Sequence, residues 1–347
     1  MDIALRPQAA SQGFADVDAL EERLSRPDSD VIADLKQLDG DILVLGATGK
    51  MGPTLARMAK RAAPEREVWA VARYSDAAQQ ERLAAHGMRP LKADLLDPAA
   101  LRDLPDAPNV IIMTGYKFGA SDSPARTWAV NSLLPAQLAD RLSGRRLVVF
   151  STGCVYPFMP INSGGASEDA PLTPLGEYAN SCVGRERLVD WQVTQSGTPT
   201  LFFRLNYAID CRYGVLHDIA SKVRGNLPID LTTGHVNVIW QGDANAMALR
   251  SLLHCEAPAA ALNVTGPETL SVRRLAEWFG RRYGVTPQFV GEEAPTAWLS
   301  NAAKSHALMG YPKVALETMM EWVADWVERA MPSLNKPTGF EVRNGAY

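Results

Sequence analysis

The run Asp41-Ile42-Leu43-Val44-Leu45-Gly46-Ala47-Thr48-Gly49-Lys50-Met51-Gly52, followed at once by the helix-forming stretch Pro53 to Ala63, narrows most what this chain can become. An apolar strand enters a glycine turn and a helix leaves it. Gly46 lets the chain reverse out of the strand, Gly49 carries no Cβ to obstruct a diphosphate, and Gly52 lets the helix pack close to the sheet. The first N–H groups of that helix lack intrahelical partners and carry the positive end of its dipole, which makes an anion site. Glycines at this spacing mean little alone. With strand before and helix after, they have the context in which such a turn binds the pyrophosphate of a dinucleotide.

Beyond the turn, buried-strand and helix patterns alternate through Val68 to Ala72, Ala77 to His86, Pro90 to Ala93, Pro98 to Leu104, Asn109 to Thr114, Ser123 to Leu142 and Leu147 to Ser151. Alternation with short links predicts a parallel sheet covered on both faces, a doubly wound α/β fold of the Rossmann type. Further strands are expected at Thr200 to Leu205, Val236 to Trp240 and Leu262 to Val264. Residues 207–235 and those from 266 onward break the alternation and are expected to form a smaller substrate lobe over the carboxyl ends of the strands, where ligands of such sheets sit. The chain thus divides into a helical extension (1–40), a dinucleotide-binding core (41–205) and a mainly substrate-binding lobe (206–347), with strands near 236–240 and 262–264 returning to the core. Two helices are expected in the extension, Val17 to Leu24 and Asp30 to Leu38, the second opened by Ser29 or Asp30. The extension reads as a strap over the sheet or across a subunit boundary.

A chain of 347 residues can hold two domains. Its 35 Lys plus Arg against 39 Asp plus Glu make a mildly acidic surface without a long basic run, which argues against nucleic acid or an anionic membrane as partner. A small soluble substrate is the expectation. Cys154, Cys182, Cys211 and Cys255 have neither metal-ligand nor disulfide spacing, so no metal site is expected. With no leader pattern and no apolar span of membrane length, the expected location is cytoplasmic, with reduced thiols.

Leu147-Val148-Val149-Phe150 delivers Ser151-Thr152-Gly153-Cys154-Val155-Tyr156-Pro157 to the carboxyl end of a buried strand. Reactive groups collect at such positions. Further on, Pro174-Leu175-Gly176-Glu177-Tyr178-Ala179-Asn180-Ser181-Cys182 opens a helix, placing Tyr178 near its first turn and Cys182 one turn later on the same face. A tyrosine beside a hydroxyl can move the proton that accompanies hydride transfer to or from a nicotinamide.

Together, the glycine turn, Lys92-Ala93-Asp94-Leu95, Asn131, Ser151-Thr152 with Val155-Tyr156, and Tyr178 resemble an extended short-chain dehydrogenase/reductase of the NAD(P)-dependent epimerase/dehydratase branch. The likeness runs from about Asp41 to Val327. Its later landmarks are Arg204-Leu205-Asn206-Tyr207, Asp243 before an Ala-rich helix, Leu262-Asn263-Val264-Thr265-Gly266 followed by Ser271, and Lys304 to Tyr311. The resemblance implies an NAD(P)-dependent oxidoreductase or epimerase acting on a carbinol or ketone by hydride transfer, and a homodimer. It implies cofactor contacts from Gly46, Thr48, Gly49, Lys50, Met51, Gly52, Asp94, Leu95, Thr114, Gly115, Tyr178 and Asn206, with Asp94 and Leu95 at the adenine. It implies substrate contacts from Tyr116, Lys117, Thr152, Gly153 and Asn206, while the small polar loop Asn162-Ser163-Gly164-Gly165 reads either as a holder of substrate hydroxyls or as a flexible solvent loop. Thr152 would orient the substrate oxygen, Tyr178 would act as acid or base, and Asn131 would support the active-site helix. Each key position also has a purely structural use: Asp94 as cap of the next helix, Asn131 as partner of buried backbone, Tyr178 as a helix surface residue.

Cys182 is the main departure, because the family has lysine four residues after the tyrosine. That lysine bonds the nicotinamide ribose and lowers the tyrosine pKa from near 10, each unit being worth about 1.4 kcal/mol. A thiol supplies no positive charge and is a poor donor. Lys117, just past the fourth strand, is the candidate replacement, and the positive charge of the oxidised nicotinamide is the alternative. A second departure is Arg73, which ends the second strand where an NAD site has an acid, and which with Ser75 and Lys50 would suit the 2′-phosphate of NADP. NADP is therefore favoured over NAD. A third is His235-Val236-Asn237-Val238, standing where nucleotide-sugar enzymes of this branch carry an arginine for the substrate diphosphate. The stretch from Asn206 to His235 is also short for a lobe covering a nucleotide, so the expected substrate is a free sugar, sugar acid or lactone. Two other readings stay open: a non-catalytic NAD(P)-binding sensor or scaffold, and a nucleotide-sugar epimerase.

Overall fold

The computed structural model of the chain describes residues 13–336 and 338–346. The start of the expected extension, residues 1–12, lies outside them. Seven strands pair side by side and in parallel: β1 (Ile42–Leu45), β2 (Val68–Ala72), β3 (Arg89–Lys92), β4 (Asn109–Ile112), β5 (Arg146–Thr152), β6 (Thr200–Leu205) and β7 (Ala260–Val264). Their order in the sheet is 3-2-1-4-5-6-7. Val44 lies beside Ala70 on one side and Ile111 on the other. Strand order reverses between β1 and β4, so their carboxyl ends part into the crevice where doubly wound sheets bind ligands.

Alternate residues of β1 serve opposite layers. Ile42 and Val44 pack with Leu55, Ala59, Val31 and Leu35 on one face, while Leu43 and Leu45 pack with Val110, Leu138 and Val189 on the other. A third apolar cluster, around Ile219, Trp240, Phe279, Trp322 and Phe340, forms the smaller lobe. β3 and β7 are the edge strands, and the sequence of β3, Arg-Pro-Leu-Lys, has charged ends at positions that reach solvent.

The extension forms helices Val17–Leu24 and Ser29–Lys36. Asp16 and Asp28 cap them, each carboxylate accepting a first-turn N–H, at 2.8 Å from Ala19 and 2.9 Å from Val31. The cap of the second helix is thus Asp28, not Ser29 or Asp30, because only Asp28 has the extended backbone that aims its side chain at the helix. Glu22 accepts from Arg57 at 3.0 Å and Arg61 at 2.7 Å on the helix that follows the glycine turn, and Arg212 of the lobe reaches Glu21 at 2.9 Å.

Two elements differ from their expected form. The strand expected over Val236 to Trp240 divides into two short strands outside the seven-stranded sheet. His235–Val236 pairs antiparallel with Leu270–Ser271, and Ile239–Trp240 pairs parallel with Ala208–Ile209. Between them Asn237 spends its amide on Asn206 and the Ser300 carbonyl. The long helix expected over Ser123 to Leu142 is helical throughout but takes a π-helical turn at Ala129–Leu133, between Pro124–Trp128 and Leu134–Arg141. Pro135 has no N–H to return to the carbonyl four residues back, so the Asn131 carbonyl is released, and Arg185 takes it at 2.8 Å.

Gly52 meets the tightest backbone approach in the glycine turn. A Cβ there would fall 2.5 Å from the Ala47 carbonyl oxygen, which cannot move without breaking the turn. Gly52→Ala should therefore cost roughly 1–3 kcal/mol, read as a lower midpoint in urea unfolding. An unchanged midpoint would show that helix and turn are not in contact.

Candidate functional site

The cofactor end of the crevice begins at Gly46, whose φ of +88° no side-chain-bearing residue adopts readily. Its missing Cβ faces the Met113 and Thr114 backbone at 3.0 Å, so the loops after β1 and β4 touch there. Gly49 is exposed, and the nearest atom to a Cβ at that position is the Gly46 carbonyl oxygen at 3.4 Å. Thr48 is half-buried, and Met51 is buried in the core. The Thr114 hydroxyl is buried with no hydrogen-bond partner. An open glycine cradle, the start of the Gly52–Ala62 helix and this hydroxyl fit a dinucleotide that passes the ends of β1 and β4.

Four neighbouring positions were expected to contact the cofactor. Leu95 is buried, and Asp94 is exposed, closing a turn on the Leu96 N–H at 3.1 Å, while Asp97 caps the next helix. Arg73 is exposed at the end of β2, and Tyr74 (φ +44°) buries its ring with its hydroxyl donating to the Ala70 carbonyl at 2.7 Å. Lys50 departs from expectation. Its ammonium donates to the Ala208 carbonyl at 2.6 Å and lies 4.3 Å over the Tyr213 ring, pointing at the lobe rather than at phosphates. Burial pushes its pKa down to about 8, with Asp210 opposing.

At the other end, Thr152 closes β5 and Tyr178 stands in the first turn of helix Gly176–Ser196. The Tyr178 hydroxyl is hydrogen-bonded to the Thr152 side chain and to the Cys182 thiol. Thr152 also accepts the Cys154 N–H at 3.2 Å. Burial lifts Tyr178 well above the ordinary phenol range, with the Cys182 and Cys154 sulfurs adding to the rise and Arg185 and the Thr152 bond opposing it. Burial also pushes Cys182 up to about 11, so it stands as a neutral thiol. The Lys117 ammonium lies 5.9 Å from the Tyr178 ring and donates to the Thr338 carbonyl at 3.0 Å. Burial lowers its pKa, against the pull of Cys154, Cys182 and Asp218.

Sequence reasoning missed Arg185. It follows Tyr178 and Cys182 at the spacing that keeps all three on one helix face. Its guanidinium donates to the Asn131 carbonyl at 2.8 Å, the Asn131 side-chain oxygen at 3.2 Å and the Phe150 carbonyl at 2.5 Å. It makes no ion pair among the described residues. Asn131 meanwhile accepts from the Tyr116 N–H at 2.7 Å and donates to the Tyr116 carbonyl and the Ser181 hydroxyl, both at 2.9 Å. Asn131 therefore does satisfy buried backbone, and in doing so it places the Gly115 to Lys117 loop against the tyrosine helix. Gly184 makes the approach possible, since a Cβ there would lie 2.9 Å from the Ser132 hydroxyl.

A second missed residue, Glu186, sits behind the site. It accepts from the Ser151 hydroxyl at 2.5 Å and pairs with Arg204 at 2.6 Å, and Arg204 donates to the Tyr156 hydroxyl at 2.7 Å. Tyr156 in turn donates to Asn263 at 2.8 Å. Asn206, expected to touch ligand, is 2 % exposed, and its amide is spent on Asn237 at 2.7 Å and the Trp298 carbonyl at 3.3 Å. Gly153 packs against it, a Cβ falling 3.0 Å from the Asn206 side chain. Ser163 and Gly164 (φ +79°) lie in an exposed turn, the Ser163 hydroxyl donating back to the Pro160 carbonyl at 2.7 Å. Among the described residues no group of three or more His, Cys, Asp or Glu is placed to hold a metal ion, and no helix is long and apolar enough to cross a membrane.

Residues 42–212 match the model of the NAD dependent epimerase/dehydratase family. Among solved structures, the chain is similar to UDP-glucose 4-epimerase of Thermus thermophilus (19% identity, TM-score 0.68, covering 84% of this chain and 100% of that one). It is also similar to UDP-glucuronic acid 4-epimerase of Bacillus cereus (18%, 0.70, 84% and 99%) and to an epimerase of Methanothermobacter thermautotrophicus (16%, 0.70, 88% and 97%). These likenesses show the fold. No curated protein matches the chain.

Glu186 and Arg204 are both buried and neutralise one another. Glu186→Gln leaves the guanidinium without a countercharge and should destabilise the fold by roughly 3–5 kcal/mol, measured by denaturant unfolding. A loss within experimental error would mean that solvent, not Glu186, stabilises Arg204.

Proposed function

We propose, on the ground that residues 42–212 place this chain in the NAD dependent epimerase/dehydratase family, that it is an NAD(P)-dependent oxidoreductase or epimerase acting on a carbinol or ketone of a sugar, sugar acid or lactone. The observation that carries the reading is the hydrogen bond between Tyr178 and Thr152 at the carboxyl end of β5, across the crevice from the glycine cradle. Gly46, Thr48, Gly49, Gly52 and Thr114 are the residues that would hold the cofactor, and Arg73 favours NADP over NAD. When bound, the cofactor supplies the acceptor and donor of hydride.

The chain's own part is the proton. Thr152 accepts the Cys154 N–H and bonds the tyrosine through its side chain, and from there it would orient the oxygen of the reacting carbon. In the oxidative direction Tyr178 takes the proton from that oxygen, and in reduction it returns it. Burial opposes formation of the tyrosinate, so a positive charge is needed nearby. A guanidinium keeps its charge at every working pH, and Arg185 sits two turns along the same face, within the field of both Tyr178 and Cys182. Lys117, whose charge burial weakens, contributes from the loop after β4.

The second reading is a nucleotide-sugar epimerase, favoured by the UDP-sugar enzymes that share the fold. A homodimer is supported by Leu133, Leu188 and Trp191, which are 51%, 44% and 64% exposed on adjoining helices and which a second copy would cover. A cytoplasmic location goes with four free cysteines.

Tyr178→Phe tests the reading. Against a panel of sugars, sugar acids, lactones and UDP-sugars with each cofactor, it should lower turnover by roughly 10²–10⁴-fold while cofactor affinity stays nearly the same; retained turnover sinks the assignment. Arg185 has a separate test in the pH profile of kcat/KM. The charged or titratable groups facing Tyr178 are Cys182 and Arg185 on its own helix, Cys154 after β5 and Lys117 after β4. Removing a positive charge raises a phenol pKa, so Arg185→Gln should move the limb governed by Tyr178 to higher pH and Arg185→Lys should restore most of it. A limb that stays in place would leave Arg185 with a purely structural role.

A further inference from the structure

A cavity of about 210 Å³ opens where the core meets the lobe, beside the turn that follows β7. Ile239 on its lining belongs to the core's apolar cluster, whereas Val238, Val314 and Met319 belong to the lobe's, so the space lies on the seam between the two halves. Met319 comes from the helix Leu316–Glu328. These side chains offer a guest carbon and sulfur, with no hydrogen-bond donor and no positive charge.

The polar part of the lining is made of acceptors. Gly266 lies two residues past the end of β7, and a Cβ on it would fall 2.1 Å from the Val238 carbonyl oxygen and 3.5 Å from Oε2 of Glu268. Any other residue would cover that carbonyl. Glycine leaves the two oxygens bare around one point. Among the described residues the Val238 carbonyl accepts no hydrogen bond, and Glu268 makes neither an ion pair nor a hydrogen bond. Glu268 is also the one charged side chain on the lining. Lys313, between the lining residues Pro312 and Val314, is engaged elsewhere, with Asp30 at 2.9 Å. Tyr311, 67% exposed, completes the lining with an aromatic ring. His306 lies against that ring, 4.7 Å between centroids, and donates to the Thr265 carbonyl at 3.2 Å, which ties the ring to the residue beside Gly266.

We propose that this cavity is a binding site for a small primary amine, taken as its ammonium, whose apolar body is about the size of one ring. An ammonium has three N–H donors and no acceptor. At an N···O distance of about 2.8 Å from each oxygen, one nitrogen can span the Val238 carbonyl and the Glu268 carboxylate. The Tyr311 ring adds the attraction of its π-face for a cation. The body then occupies the apolar space between Val238, Val314 and Met319, which exceeds the roughly 150 Å³ that holds a benzene ring in a comparable apolar cavity. An anion would meet the Glu268 charge with no cation to offset it, and a neutral alcohol would leave that charge unanswered. Neither Tyr178 nor Thr152 lines the cavity, so the site stands whatever reaction those two residues carry.

Benzylamine is the probe, with benzyl alcohol and benzoate as its neutral and anionic counterparts, on the intact protein carrying isotope-labelled methionine methyls. The Met319 methyl resonance, identified by its loss in Met319→Leu, reports occupancy of the cavity without reference to activity. At pH 7 benzylamine should shift it saturably, with a Kd of about 1 mM. Glu268→Gln should weaken that binding by about tenfold, and benzyl alcohol should bind about tenfold more weakly than benzylamine. Tyr311→Ala should weaken it by about threefold, and benzoate should leave the resonance in place. Glu268 and Tyr311 are both exposed, so each variant keeps the fold in which the comparison is made. A Met319 methyl that benzylamine does not move at about twenty times the expected Kd overturns the inference. So does a shift by benzoate, or binding as tight in Glu268→Gln, or by benzyl alcohol, as that of benzylamine to the unaltered chain.

Discussion

A buried ion pair sets the position of everything that bears chemistry in this fold. Glu186 lies on the tyrosine helix, and its carboxylate is shared between Ser151, one residue before Thr152 on β5, and Arg204 on β6. Arg204 continues the chain of bonds through Tyr156 to Asn263 on β7. Taking two charges out of water costs about as much as their attraction returns, so such a pair contributes little net stability. It contributes register. The helix cannot slide along the sheet without leaving a charge bare, and Thr152 and Tyr178 stay within hydrogen-bond reach for that reason. Arg185 of the same helix, bonded to Asn131 of the π-helical turn, does the equivalent for the loop that carries Lys117.

The electrostatics around Tyr178 show what a thiol, rather than a cation, one turn along its helix demands. With Cys182 there, burial, two sulfurs and a low-dielectric wall all favour the neutral phenol. The counterweight is a guanidinium held by three oxygens that carry no formal charge, so its field is not cancelled by a carboxylate of its own. An ammonium at the end of a flexible stem gives up its proton more readily when buried, as Lys50 and Lys117 illustrate.

Much of the fold was legible because its signals are local. The strand, glycine turn and helix from Asp41 to Ala63 are adjacent in sequence, and all seven strands of the sheet fall on expected short runs with turn residues between them. Val236 to Trp240 misled because its apolar pattern serves the lobe, where Asn237 interrupts the pairing. In the candidate site the meeting of Thr152 with Tyr178 was legible from their shared context, and the placement of Arg185 and Glu186 was not. Those two look like surface charges of an amphipathic helix until the sheet is placed against them. Lys50 sits in the glycine turn, yet its long side chain turns towards Ala208, far along the chain, which no local pattern records. Nothing in the composition of 338–346 shows that it reaches Lys117, Thr296 and the turn that opens the tyrosine helix.

The strap at the front of the chain bears on motion. Leu20 and Leu24 belong to the lobe's cluster, whereas Val31 and Leu35, one helix later, belong to the core's. Swinging the lobe away from the sheet would pull at least one pair of these side chains into water, at about 1.5–3 kcal/mol each. Large hinge opening is therefore a rare excursion for this molecule. Traffic into and out of the crevice falls instead to short irregular stretches that can peel back while the two halves keep their mutual pose, and the tempo of exchange with solvent is theirs to set.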